Sequence, residues 1–218
     1  MKKVLILCEG QTEETFVRRR IAPHLLTCNV VVVPTLIVTK KPKSGAASRG
    51  GITRYAQVRR DIVHLLRDSS AALVTTLIDY YGLPADFPGM STLPDGSSYQ
   101  KVEHLEQALT QDIANNRFLP YLMIHEFEAF LFTQPHVIMQ TFAQRGSIER
   151  VFGDLSSFAS SEEINDGQQS HPAARIQRYF RQYRKPIHGP IILEKIGLAA
   201  IRATCPHFDS WMRRLERL

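Results

Sequence analysis

Apolar residues along the first half of the chain fall into two alternating patterns, short continuous runs and stripes spaced three or four residues apart. That alternation predicts β-α-β units and a largely parallel sheet. Val4-Leu5-Ile6-Leu7-Cys8 is unbroken, as a strand covered on both faces must be. Phe16, Val17, Ile21, Leu25 and Leu26 then form a helical stripe. Thr12 is its expected N-cap, Glu13 and Glu14 stand in the first turn where the helix dipole favours them, and Pro23 should kink it. A second strand is expected within Asn29–Val38, with Pro34 pointing to an edge or a bulge. Tyr55, Val58, Ile62, Leu65 and Leu66 mark the next helix, Leu73–Ile78 a third strand that ends at Asp79, and Val102, Leu105, Leu109 and Ile113 a further helix. Phe118–Ile124 reads as a fourth strand, which delivers His125-Glu126-Phe127-Glu128.

The connections are equally informative. Thr39–Gly51 is polar and basic with no apolar periodicity, either a connector or a phosphate-contacting loop. Tyr80–Ser98 holds too many Gly and Pro residues for a regular element, and its length beside a strand end suggests a lid. Apart from a polar break at Ser160–Ser170, the remainder reads as helical, over Ala173–Tyr183, Ile191–Ala203 and Phe208–Leu218. The expectation is an α/β core over residues 1–132 and a mainly helical extension over 133–218 packed on it.

Composition narrows the setting. Of the 218 residues 44% are hydrophobic and 22% charged, which excludes global disorder. No apolar run reaches the roughly 18 residues a membrane span needs, and no export signal is evident, so the expected compartment is the cytoplasm. Cys8, Cys28 and Cys205 lack zinc-type spacing and read as buried or incidental thiols. The net charge of +6 is concentrated: Lys40, Lys41, Lys43, Arg49 and Arg54 surround one segment, and Arg175, Arg178, Arg181, Arg184 and Lys185 crowd another. Such patches attract phosphate backbones, although each alone is equally well a solvated face.

Three expected strands end in a carboxylate, at Glu9, Asp79 and Glu126. Ligands of open parallel sheets bind beyond the carboxyl ends of the strands, so these positions can converge on one crevice. Carboxylates gathered there repel one another, and a hard divalent cation such as Mg2+ or Mn2+ relieves the repulsion. Glu13, four residues after Glu9, can join as a further ligand, with Gly10 giving the backbone its turn. Glu14 reads as a dipole-complementing residue, Glu128 as a solvated or salt-bridged one, and His125 and His207 as structural histidines before ligands or bases.

The runs Cys8-Glu9-Gly10-Gln11-Thr12-Glu13-Glu14, Asp79-Tyr80-Tyr81-Gly82-Leu83, His125-Glu126-Phe127-Glu128-Ala129-Phe130-Leu131-Phe132 and Ile201-Arg202-Ala203-Thr204-Cys205-Pro206-His207-Phe208 together resemble the domain-of-unknown-function family 4276. That family is similar to the Toprim fold of topoisomerases, bacterial primases and related nucleases. The resemblance implies that Glu9 takes the place of the Toprim glutamate and Asp79 that of the first aspartate in an Asp-x-Asp pair. Tyr81 stands where the second aspartate would be. The resemblance also implies a companion ATPase in a bacterial defence module against phage.

The leading expectation is a nuclease dependent on Mg2+ or Mn2+. Glu9, Glu13, Asp79 and Glu126 would hold the metal, and Lys185 would act with Glu9 and Asp79 in catalysis. Lys40, Lys41, Lys43, Arg49 and Arg54 would contact nucleic acid. The alternatives are a catalytically weak Toprim-like adaptor that docks on a partner ATPase, which Tyr81 favours, and a nucleotide hydrolase using the same metal in a closed pocket.

Overall fold

The computed structural model describes residues 1–38, 52–124, 126–153, 155, 158–164 and 171–218. A parallel sheet runs through the first half. It is built from β1 (Lys2–Cys8), β2 (Val30–Leu36), β3 (Ala71–Asp79), β4 (Phe118–Leu119) and β5 (Leu122–Met123). The order is β2-β1-β3-β4, and β5 continues beyond β4 along β3. The chain leaves β1 for a neighbour on one side, then crosses back over it to lay down β3 on the other. The order therefore reverses between β1 and β3, the place where parallel sheets form a ligand crevice beyond the carboxyl ends of their strands.

Helices cover both faces, as all-parallel sheets require. Leu5, Leu7, Val74 and Ile78 point to the face covered by α3 (Tyr55–Leu66) and α4 (Ser98–Ile113). Val4, Ile6, Cys8, Leu73 and Leu77 point to the other. That face carries α1 (Gln11–Phe16), α2 (Ala22–Thr27) and helices from the second half of the chain. These are α5 (Pro135–Thr141), α6 (Ile148–Phe152), α7 (Pro172–Tyr179), α8 (Lys185–Ile196), α9 (Leu198–Thr204) and α10 (Pro206–Glu216). Phe16 of α1 meets Phe127, Phe130 and Phe208 with ring centroids 5.8, 5.9 and 6.0 Å away, so the C-terminal helices share one core with the first strands. No helix among the described residues is long and apolar enough to cross a membrane.

Several local expectations need correction. The first helix starts at Gln11 behind Gly10, leaving Thr12 buried inside it rather than capping it. Before Pro23 it widens into a π turn over Val17–Ile21, where Ala22 N–H bonds the Val17 carbonyl five residues back. Pro23 then enters in the first turn of α2, where its missing N–H costs little. Pro34 does lie in an edge strand, paired with Ile6. The fourth strand is split at Pro120, which has no N–H for the ladder. The helix expected over Ile191–Ala203 is two helices, because Gly197 turns the chain at φ +82°. Within the segment expected as a lid, Phe87 is buried edge-to-face on Tyr55 at 5.4 Å, and Asp86 Oδ1 accepts the Tyr55 N–H at 2.9 Å.

Candidate metal centre

β1 and β3 pair in register up to Cys8 and Leu77, so their next residues emerge side by side. Glu9 Oε2 accepts the backbone N–H of Asp79 at 3.1 Å. Asp79 Oδ1 in turn accepts the Phe127 N–H at 3.0 Å, which ties the stretch after β5 to the end of β3. Glu13 lies in the first turn of α1, near enough for its charge to bear on Glu9, and is 2% exposed. Gly10 is extended at φ −146°, a conformation open to any residue, so its turn does not explain the glycine. Space does: a Cβ there would come within 3.1 Å of the Glu13 carboxylate.

The fourth acid is Glu128, in the 3-10 turn Phe127–Thr133, 1% exposed and bonded at Oε1 by the Tyr183 hydroxyl at 3.1 Å. Glu126 turns elsewhere. It is the extended residue before that turn, and its Oε1 lies 2.5 Å from His171 Nδ1. In extended chain residues two apart share a face, but the 3-10 turn begins at Phe127 and rotates the backbone between them, which leaves Glu126 on His171 and brings Glu128 to Lys185.

Lys185 stands among these acids. Its Nζ is 3.0 Å from Glu13 Oε1, 3.1 Å from Asp79 Oδ2 and 3.5 Å from Glu128 Oε2, and 5.5 Å above the Phe127 ring. It opens α8, where the helix dipole repels a cation, so the carboxylates hold it there against that field. Gly189, one turn on, lets α8 approach closely, since a Cβ would meet Phe127 at 3.3 Å and Thr12 at 3.4 Å.

The electrostatics follow from one ammonium facing three buried acids, Glu13, Asp79 and Glu128, with the half-buried Glu9 beside them. Burial, then the charge of Glu13, pushes the Glu9 carboxyl up to about 7, with Lys185 and the Asp79 N–H partly opposing. Burial holds Asp79 well above the usual carboxylate range, eased by Lys185 and reinforced by Glu9, Glu13 and Glu128. Glu128 is raised mainly by burial as well. Burial disfavours the Lys185 ammonium, but Asp79, Glu128 and Glu13 outweigh it and keep the group well above the ordinary lysine value. Glu13 Oε1 and Glu128 Oε2 are buried and accept no hydrogen bond from the described residues, having only the ammonium to face. Oxygens whose one partner is a cation, in an all-oxygen set, are the donors a hard cation takes.

Of the residues expected to hold a metal, Glu9, Glu13 and Asp79 come together and Glu126 lies beside them on His171. Glu128, expected to be solvated or salt-bridged, is ion-paired but buried. Glu14 pairs with Arg18 at 2.8 Å. His207 bonds Glu106 at 3.0 Å and stacks on Tyr121, so it serves the fold. Arg54 is exposed ahead of α3, and Lys40, Lys41, Lys43, Arg49 and His125 lie outside the described residues. His171 was missed: it sits beyond a polar break, with no spacing that ties it to Glu126. His24, Cys28 and Glu216 offer ligand atoms within 4.8 Å of one another. Arg202 already bonds Glu216 and lies 3.3 Å from His24 Nε2, so a guanidinium meets that charge.

No curated protein and no solved structure matches this chain. A family model does, across residues 8–216, from the end of β1 through the last helix and including every acid of the crevice. The chain belongs to the domain-of-unknown-function family DUF4276.

Proposed function

We propose that this protein is a Toprim-like phosphodiesterase acting on nucleic acid and dependent on Mg2+ or Mn2+. One observation carries the reading: Glu9, Glu13, Asp79 and Glu128 converge at the carboxyl ends of β1 and β3 around a single ammonium, and two of their buried oxygens have only that ammonium as partner among the described residues. All donors are oxygens, the set that suits a hard divalent ion, and those four residues would hold it. Bound there, such an ion would supply charge neutralisation at a phosphate and activation of water.

The chain's own groups do the rest. Asp79 is fixed on one side by the Phe127 N–H, which leaves Oδ2 directed at the crevice. Lys185 is within reach of the same centre and can move to a phosphate oxygen once its carboxylates have another cation. Hydrolysis adds the water oxygen to phosphorus and breaks one P–O ester bond, leaving a phosphomonoester and an alcohol. Arg54, with Lys40, Lys41, Lys43 and Arg49, would neutralise the neighbouring backbone.

The rival, an adaptor that docks on a partner ATPase, is favoured by Lys185 itself, since the ammonium already fills the centre of the acids. Cleavage of supercoiled DNA, single-stranded DNA and RNA with Mn2+, compared between the wild type and Asp79→Asn, separates the two. Activity lost in the variant supports the enzyme. Absence of cleavage both alone and with the cognate ATPase supports the adaptor.

A further inference from the structure

Tyr81 follows Asp79 by two residues, so their Cα atoms are at most roughly 7 Å apart. It occupies the corner of a tight turn closed by the Leu83 N–H on the Tyr80 carbonyl at 3.3 Å. Gly82 supplies the positive φ of +88° that this turn requires. The turn is anchored to the sheet by the Tyr80 N–H on the Met123 carbonyl at 2.9 Å. The ring it presents is 42% exposed, yet it is not loose. One of its faces is stacked on the His171 imidazole, centroids 5.2 Å apart and planes at 24°. His171 is itself fixed, heading α7 and held by Glu126 at 2.5 Å.

An isolated exposed aromatic needs no explanation; one that is rigidly backed and lies two residues beyond an acid of the candidate metal centre does. We infer that Tyr81 is a stacking platform for the nucleobase next to the phosphate addressed by the carboxylates, with His171 as the residue that positions it. This inference rests on the phosphodiesterase reading and adds a substrate class, a base-bearing single strand. Bases inside a duplex have both faces covered by their neighbours, whereas an unpaired base offers a face to an aromatic ring. It also accounts for Tyr81 and Glu126 together: the tyrosine receives the base, and Glu126 serves its support instead of the cation.

The test is binding of a fluorescein-labelled oligothymidylate of about ten nucleotides, against an abasic phosphodiester chain of equal length, in low salt with Ca2+ to support binding. Stacking on one ring is worth roughly five- to a hundredfold in affinity. The wild type should prefer the base-bearing chain by about tenfold or more. Tyr81→Phe should keep the preference, Tyr81→Ala should abolish it, and His171→Ala should reduce it while weakening the abasic chain little. Because Tyr81 is exposed, its alanine variant should melt with the wild type, which excludes misfolding. Equal binding of the two chains by the wild type, or an undiminished preference in Tyr81→Ala, overturns the stacking role and leaves the phosphodiesterase reading standing. Binding of neither chain overturns both.

Discussion

Glu9 and Asp79, seventy residues apart, meet at 3.1 Å across the ends of adjacent parallel strands, the carboxylate of one accepting the backbone N–H of the other. The contact fixes the Glu9 carboxylate beside a second acid, and its ionisation is expensive there. Burial and Glu13 raise it from an ordinary glutamate value to about 7 in the fold. A carboxyl raised on folding contributes stability that is fully present below its unfolded pKa and is lost as pH rises through about 7. Glu9→Gln should therefore match the wild type near pH 4 and exceed it at pH 8, by about 2 kcal/mol. Melting temperatures should diverge by roughly 4–8 °C between those limits. A constant difference across pH would contradict the assigned burial.

Lys185 makes a prediction with two opposite signs. Without a divalent ion, Lys185→Met leaves Glu13, Asp79 and Glu128 with no counter-charge, and should cost about 3 kcal/mol near pH 8. The loss should shrink on acidification, because raised carboxyls such as Asp79 and Glu128 take up protons instead. Yet the same variant should bind Mn2+ more tightly, since the ammonium no longer competes for the oxygens. Calorimetric titration at fixed pH reads this directly, and weaker binding would mean that Lys185 assists the cation.

Pro120 breaks the edge of the sheet, and a side chain repairs it. Thr76 Oγ1 donates to the Tyr121 carbonyl at 2.8 Å and accepts the Tyr121 N–H at 2.9 Å, entirely out of contact with water. Thr76→Val keeps the shape and orphans both groups, so it should cost about 2–3 kcal/mol, whereas Thr76→Ser should cost about 1. Denaturant midpoints of the three proteins check the order.

Glu162 has a similar role at the start of α10. Its oxygens accept the N–H groups of His207 and Phe208 at 3.0 and 3.1 Å and the Tyr99 hydroxyl at 3.1 Å. Glu162→Ala should destabilise by about 3 kcal/mol, with Glu162→Gln losing about half of that because one oxygen still accepts. Equal stability of both variants and the wild type would show that α10 is capped without it.

Much of this arrangement is legible in the sequence. The unbroken run Val4–Cys8 and the stripes beginning at Phe16 and Tyr55 identify a doubly covered parallel sheet; acids at its strand ends identify Glu9 and Asp79, the spacing from Glu9 adds Glu13, and the third strand-end acid, Glu126, pairs with His171 instead. Glu128 and His171 are not legible, for a physical reason. Which of Glu126 and Glu128 faces the crevice depends on where extended chain gives way to the 3-10 turn, and no residue at that boundary signals it. His171 and Glu162 reach their partners through tertiary packing over 45 and 46 residues, beyond any local periodicity. Thr76 reads as one more β-former in a buried strand, and only the break at Pro120 gives its hydroxyl a task.

The central claim is that the crevice between β1 and β3 binds a divalent cation, and melting with and without Mn2+ tests it most directly. An ion that binds only the folded state at a hundred times its Kd adds about 2.7 kcal/mol, a rise of roughly 5–10 °C for a chain of this size. The wild type should show that rise, and Glu13→Gln and Asp79→Asn should lose most of it while melting no lower than the wild type in the absence of metal. Melting of the wild type that is indifferent to Mn2+, with both variants destabilised, would mark the acids and Lys185 as a structural ion-pair cluster and contradict the account.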